Sequence, residues 1–188
     1  MRKLVVFDQV SVDGRFTSPS GDIGWLHQGN QDAEWQSFVE SNAGGGGVLL
    51  FGRVTYQMMA GYWPTPMAAQ QNPQVAERMN ALPKVVFSRT LTEATWNNTT
   101  LAKGDLATEA RALKEGDGPG LVILGSGSIV AQLAAEGLID DYQVIVNPVV
   151  IGKGRSLFAG VEEPPSLKLT KTRTFKNGNV LLSYEAES

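Results

Sequence analysis

The chain has 188 residues, 42% of them hydrophobic and 19% charged, which suits one globular domain able to bury about 70% of its unfolded surface. Lys+Arg 16 against Asp+Glu 19 gives a net charge of -3, with no basic excess to draw nucleic acid or an anionic membrane. The absence of cysteine excludes disulfides, thiol catalysis and thiolate metal sites, and a single histidine leaves zinc only carboxylates to bind.

The N-terminal run Leu4-Val5-Val6-Phe7 is too short for a secretory signal, and no stretch is long enough to span a bilayer. A soluble, cytoplasmic protein is expected. Leu4 to Val10 reads as a β-branched strand, followed by a Gly/Ser/Pro loop from Asp13 to Gly29. Asp32 to Asn42 reads as a helix, with Ala33, Trp35, Phe38 and Val39 near helical spacing. Four glycines, Gly44 to Gly47, break it before a buried strand at Val48 to Phe51. A helix at Arg53 to Ala60 gives way to a Pro-rich loop through Trp63 and Pro66, and Pro73 to Ala81 is again helical. Strands follow at Lys84 to Ser88 and Thr99 to Ala102, then a helix from Asp105 to Glu115 capped by Asp105. Leu121 to Leu124 is a strand, Ser126 to Glu136 a helix and Asp141 to Asn147 a strand. Two alternating segments, Ser166 to Phe175 and Val180 to Glu185, flank Lys176-Asn177-Gly178-Asn179, a hairpin signal. The order predicts a single α/β domain over residues 1–188, with a mixed, mostly parallel sheet, helices on both faces and an antiparallel C-terminal hairpin.

Three strand-to-helix or strand-to-loop junctions carry polar chemistry. In Leu124-Gly125-Ser126-Gly127-Ser128-Ile129 a strand ends in two glycines and a helix starts at once. Glycine admits a ligand to the backbone, and the helix start offers free N–H groups, so the pattern suits a phosphate or pyrophosphate. A third glycine of the dinucleotide fingerprint is missing, because Val130 takes its place. In Phe51-Gly52-Arg53-Val54-Thr55-Tyr56 another strand passes through glycine into a helix, with Arg53 and the Thr55 hydroxyl suited to phosphate oxygens. Val86-Phe87-Ser88-Arg89 delivers Ser88 and Arg89 to a third strand end, the side of an α/β sheet where ligands gather.

These three segments resemble cofactor motifs of the dihydrofolate reductase-like family: Gly-Arg-x-Thr-[Trp/Tyr], the Leu-Ser-Arg strand end, and the Gly-Gly-x-x-[Ile/Tyr] turn. Ser11-Val12-Asp13-Gly14-Arg15 and Asn147-Pro148 through Gly152-Lys153-Gly154-Arg155 are similar to the riboflavin-pathway reductase branch, the stand-alone RibD C-terminal-domain proteins. The resemblance implies a three-layer fold and an NADPH-dependent reductase of a small heterocycle, akin to 5-amino-6-(5-phosphoribosylamino)uracil reductase of riboflavin biosynthesis. It also implies a homodimer, since relatives pair through the C-terminal part of the sheet. Gly52, Arg53, Thr55, Ser88, Arg89, Gly125, Ser126, Gly127, Ser128 and Ile129 are the implied cofactor residues. Arg53, Ser88 and Arg89 favour the 2′-phosphate of NADPH, with no acidic residue clearly placed for a ribose hydroxyl. The riboflavin-pathway enzymes usually carry Glu before the pyrophosphate turn, where this chain has Leu124. Dihydrofolate reductases place a carboxylate on the first helix, and the matching region offers Asp32, by spacing to Trp35, or Glu34, by spacing to Phe38. Asp32 reads equally as an N-cap. Asp13 orients substrate in the relatives or shapes an Asx-turn. Trp25 and Trp63 suit the walls of a flat heterocycle or the core, and His27 lies in a polar loop. Pterin reduction, or nucleotide binding without turnover, are the alternative functions.

Overall fold

The structure, a computed structural model, describes residues 1–27, 32–43, 46–163 and 165–187. In chain order its elements are β1 (Leu4–Ser11), β2 (Arg15–Thr17), α1 (Ala33–Ala43), β3 (Val48–Gly52), α2 (Arg53–Tyr62), α3 (Pro66–Gln71) and α4 (Pro73–Ala81). Then come β4 (Lys84–Phe87), β5 (Thr99–Ala102), α5 (Leu106–Glu115), β6 (Leu121–Leu124) and α6 (Gly127–Ala135). The chain closes with β7 (Asp141–Asn147), β8 (Arg155–Ser156), β9 (Leu167–Thr174) and β10 (Val180–Ala186).

Eight strands form one sheet in the order β5-β4-β3-β6-β1-β7-β10-β9. The first six run parallel, as expected of strands separated by helical crossovers. The hairpin β9-β10 continues the sheet antiparallel from β7, and its turn uses Gly178 at a φ of +90°. Central strands alternate their side chains between two apolar layers. Leu4, Val6, Leu50 and Ile123 pack on one face with Ala110 of α5 and Val130 and Leu133 of α6. Leu49, Phe51 and Val86 pack on the other with Tyr56 of α2, Val75 and Met79 of α4, and Trp96. Burying each such aliphatic side chain is worth about 1.5–3 kcal/mol. Trp35 of α1 joins Phe7, Phe175 and Leu181 in a third cluster beneath the hairpin. No helix among the described residues is long and apolar enough to cross a membrane.

Two buried lysines tie loops to this frame. Lys84, 1% exposed, donates to the carbonyls of Asn80, Leu82 and Asn97, and lies 4.4 Å over the Trp96 ring. Burial lowers its pKa to about 8. Lys114 donates to the Leu138 carbonyl (2.7 Å) and to Asp140 Oδ2 (2.6 Å), which also accepts the Leu4 amide. Asp140 thus marks the turn into β7.

The structure adds short elements that the periodicity did not reveal. Part of the expected Pro-rich loop is the helix α3, started by Thr65, whose Oγ1 accepts the Ala68 amide, with Pro66 in the first turn. β2 and β8 pair as a two-stranded ribbon inside segments expected to be loops.

Candidate active site

The carboxyl ends of β1, β3, β4 and β6 meet at one edge of the sheet, and two of the junctions are bonded directly to each other. The Gly52 amide, at the end of β3, donates to Ser126 Oγ at 3.1 Å, and Thr55 Oγ1 of α2 donates to the Gly125 carbonyl at 2.9 Å. The Gly125 amide donates to the Phe7 carbonyl of β1 at 3.3 Å. Gly125 has a φ of +61°, the left-handed backbone that turns β6 sharply into α6. Gly127 follows in ordinary backbone, and a Cβ there would lie 2.6 Å from the Phe16 ring. The glycine therefore makes room for the tip of the Phe16 ring, which packs against the start of α6. The Ile129 and Val130 amides both reach the Ser126 carbonyl, at 3.0 and 3.1 Å, so the first-turn amides left without an intrahelical acceptor are those of Gly127 and Ser128, two residues that line the same opening.

Two hollows flank this brace and share Gly52 and Ser128. The first, about 290 Å³, is lined by Phe7, Asp8 and Gln9 of β1, by Phe16 and Thr17, by Thr55 and Met59 of α2, and by Gly125 to Ser128. The second, about 280 Å³, is lined by Arg53, Ser88, Arg89, Asp105 and Ile129. Every residue expected to hold the cofactor lines one hollow or the other. Their roles divide more finely than the sequence implied. The Thr55 hydroxyl donates to the Gly125 carbonyl, and the Ser126 hydroxyl accepts the Gly52 amide and donates to the Leu124 carbonyl at 3.4 Å, so both shape the cradle. Ser88 Oγ accepts the amides of Thr90 and Leu91 and so holds its own turn. Arg53 is exposed at the first turn of α2, 3.1 Å from Gln57 Oε1. An acid, Asp105, also lines the second hollow beside Arg53 and Arg89. The amide and hydroxyl of Thr108, with Arg89 nearby, hold its carboxyl below the ordinary value.

The expected catalytic carboxylates do not come together here. Asp32 caps α1 through the amides of Glu34 and Trp35, and its Oδ2 accepts the Asn177 amide of the hairpin turn at 2.9 Å. Its burial favours the neutral form, but those amides prevail and lower the pKa. Glu34 pairs with Arg173 of β9 at 2.9 Å. Asp13 accepts Ser11 Oγ at 2.7 Å and the amides of Ile151 and Gly152, which draws its pKa down to about 2, the Ser11 bond foremost. None of the three lines either hollow, since each is committed to joining distant loops. Of the two tryptophans, Trp25 is buried at 8% exposure beside the first hollow, to which its neighbours Ile23 and Leu26 contribute. Trp63 lines an adjoining apolar recess of about 210 Å³ that shares Phe7, Gln9, Met59 and Leu124 with the first hollow. His27 closes the short 3-10 turn Gly24–His27, and its side chain lies outside what the structure describes.

The acid that does line the cleft is Asp8, 6% exposed in the middle of β1. Its Oδ1 accepts the Gln9 amide at 2.8 Å, and its Oδ2 is buried without a partner. Burial pushes the carboxyl up to about 7, against the small opposing pull of the Gln9 amide. Its signal in the sequence is a lone carboxylate in the apolar run Leu4-Val5-Val6-Phe7-Asp8-Gln9-Val10, on a strand that turns out to be covered on both faces.

The model of the RibD C-terminal domain family matches residues 2–181. Uncharacterized protein YyaP of Bacillus subtilis is 26% identical over 183 residues, covering 97% of this chain and 94% of its own. A protein of Shewanella sp. PV-4 named for riboflavin biosynthesis superposes over 100% of both chains with a TM-score of 0.74 at 22% identity. A Thermotoga maritima diaminohydroxyphosphoribosylaminopyrimidine deaminase/5-amino-6-(5-phosphoribosylamino)uracil reductase covers 99% of this chain with 57% of its own, at a TM-score of 0.67 and 17% identity. At those identities the two solved structures share the fold with this protein.

Proposed function

The chain belongs to the RibD C-terminal domain family, and from that premise we propose that it is an NADPH-dependent reductase of a small heterocyclic substrate, akin to the uracil reductase of riboflavin synthesis. The observation that carries this reading is the mutual brace of the two glycine junctions, Gly52 to Ser126 and Thr55 to Gly125, set between two hollows of the size of a nucleotide half each. A dinucleotide laid across the brace meets the amides of Gly127 and Ser128 at its pyrophosphate once the Phe16 ring, which packs on Gly127, swings aside. Arg53 and Arg89 supply positive charge on the nucleotide side, opposed there by Asp105 alone among the described lining residues. NADPH supplies a hydride when bound, so the work left to the chain is to orient a ring in the first hollow, exclude water and hold a proton. Phe7, Phe16 and Met59 make that hollow largely apolar.

Titration of the protein with NADPH and with NADH tests the reading directly. NADPH is expected to bind at least tenfold more tightly, because one charge-assisted phosphate contact is worth about 1.5–3 kcal/mol. Arg53→Ala should erase much of that difference. Equal affinities for the two nucleotides, or full NADPH affinity in the variant, overturn the assignment.

A further inference from the structure

Two residues that line the first hollow each keep a polar atom without a partner. Asp8 Oδ2 and Thr17 Oγ1 are both buried and unbonded, and both residues line the same cleft. Nothing in the architecture asks for an acid at position 8. Asp8 pairs in register with Val144 of β7, its one bond goes to the amide of the next residue, and an aliphatic side chain satisfies the same strand. An unpaired buried carboxyl works against folding, and such groups persist where a ligand or a reaction uses them.

We propose that Asp8 is the proton donor of this cleft, giving its carboxyl proton to a ring nitrogen of a nitrogen heterocycle that Thr17 holds in place by a hydrogen bond. The proposal rests on the reductase reading for its source of hydride. In the step, the O–H bond of Asp8 breaks and an N–H bond forms, leaving a carboxylate. The electron pair arrives as hydride from the reduced nicotinamide at the adjacent carbon, so C=N becomes CH–NH, the nicotinamide is oxidised, and solvent returns a proton to Asp8. A carboxyl with its acidity near 7 is well matched to this task at neutral pH. Among the described lining residues the other ionisable group is Arg155 of β8. Arg15 of β2 lies 3.9 Å from Asp13 and 3.4 Å from the Gly154 carbonyl. The residues that α2, α6 and β6 present to the cleft are all uncharged. Burial therefore governs Asp8.

The experiment uses the full chain, Asp8→Asn and Thr17→Val, with 2-aminopyridine as the probe, because its absorption spectrum distinguishes the neutral ring from the protonated one. At a pH where the free probe is neutral, the probe bound to the wild type should show the cation spectrum. Thr17→Val should bind it several-fold more weakly with the same spectrum, and Asp8→Asn should bind it, if at all, as the neutral form. In parallel, carboxyl NMR of the 13C-aspartate-labelled protein should show one group titrating near 7 that disappears in Asp8→Asn. A wild type that does not bind the probe at millimolar concentration, binds it neutral, or lacks that titrating carboxyl overturns the proposal. NADPH affinity of the wild type is measured separately. Failure of the wild type to bind NADPH removes the reductase reading, while the proton transfer to the probe stands or falls by itself.

Discussion

Gly125 and Gly127 are two residues apart and serve the site differently. Gly125 occupies left-handed backbone, so any side chain there is strained. Gly127 is unstrained, and the obstacle to a side chain is the Phe16 ring, 2.6 Å from an added Cβ. Gly127→Ala must push that ring from its seat against the core, so it should cost about 1–3 kcal/mol of stability. Gly127→Asp should leave the circular dichroism native, since a helix start tolerates an acid. It should nevertheless lower NADPH affinity at least tenfold, about 1.4 kcal/mol, by setting a charge against the pyrophosphate. Undiminished affinity in a natively folded variant would move the cofactor off this turn. Asp8 gives a second residue-level expectation, in stability against pH. Its folded pKa of about 7 lies above the ordinary 3.8, so the native state binds the extra proton between those values. Its contribution is full below about pH 4 and is lost as pH rises through 7, a burden on the order of 4 kcal/mol at the upper end. The carboxyls with lowered pKa values, Asp13, Asp32 and Asp105, act at lower pH and with opposite sign. Asp8→Asn should therefore flatten the decline in melting temperature between pH 5 and 8, and an unchanged slope counts against a buried protonated Asp8. The lining of the two hollows was legible at Gly52-Arg53 and at Gly125 to Ser128 because glycines mark those turns, and at Ser88 and Arg89 because they stand at a strand end. Asp8 was not, because its burial is imposed by strands far along the chain. Asp32 and Glu34 misled for the same reason: what occupies them is a hairpin that begins more than 130 residues later.

At the scale of elements, long periodic segments were readable and short ones were not. The main strands and five of the helices fall within a few residues of the positions expected from spacing, because their apolar periodicity is the pattern that two-sided burial requires. The helix α3 is only Pro66–Gln71, too short to display a period, and its cap Thr65 is hidden among prolines. The ribbon of β2 and β8 pairs Arg15 with Ser156 across a large sequence separation that local patterns do not encode. That ribbon forms part of the cleft wall, so the sequence understated how the site is closed. Packing between elements carries its own expectation at Lys114. Its side chain is 7% exposed and joins the end of α5 to the entry of β7 through Asp140, which also receives the amide of β1. Lys114→Met keeps the aliphatic stem but leaves the Leu138 carbonyl and the Asp140 carboxylate short of a donor. Because the Asp140 carboxylate is 37% exposed and water can reach it, the loss is about 1–2 kcal/mol, seen as a lower midpoint in urea with an unchanged slope. A variant as stable as the wild type would mean that this clamp is replaced by water at no cost.

The whole molecule is asymmetric across its sheet. The parallel body is covered by helices on both faces, while the hairpin at the other end is not. Along β9 nearly every residue is exposed, including Leu167 at 37% and Leu169 at 52% on a strand that forms the open edge of the sheet. An edge of this kind offers unpaired backbone donors and acceptors as well as apolar surface, and natural proteins leave it so where another chain covers it. Lys168 and Lys171 on the same strand oppose indiscriminate pairing, which favours one specific partner over aggregation. A second copy of the chain is the occupant the family resemblance implies, and a stable pairing needs about 800 Å² from each copy. That area exceeds one strand, so the interface must extend over β10. Light scattering at micromolar concentration should give twice the mass of the chain. Leu169→Lys removes apolar area from the exposed strand and sets like charges against each other across a twofold, so it should shift the mass toward that of one chain. Nucleotide binding should survive, because both hollows lie at the carboxyl ends of β1, β3, β4 and β6, strands in the body of the sheet and apart from its β9 edge. A monomeric wild type rules the pairing out, and a dimer indifferent to Leu169→Lys places the interface elsewhere on the molecule.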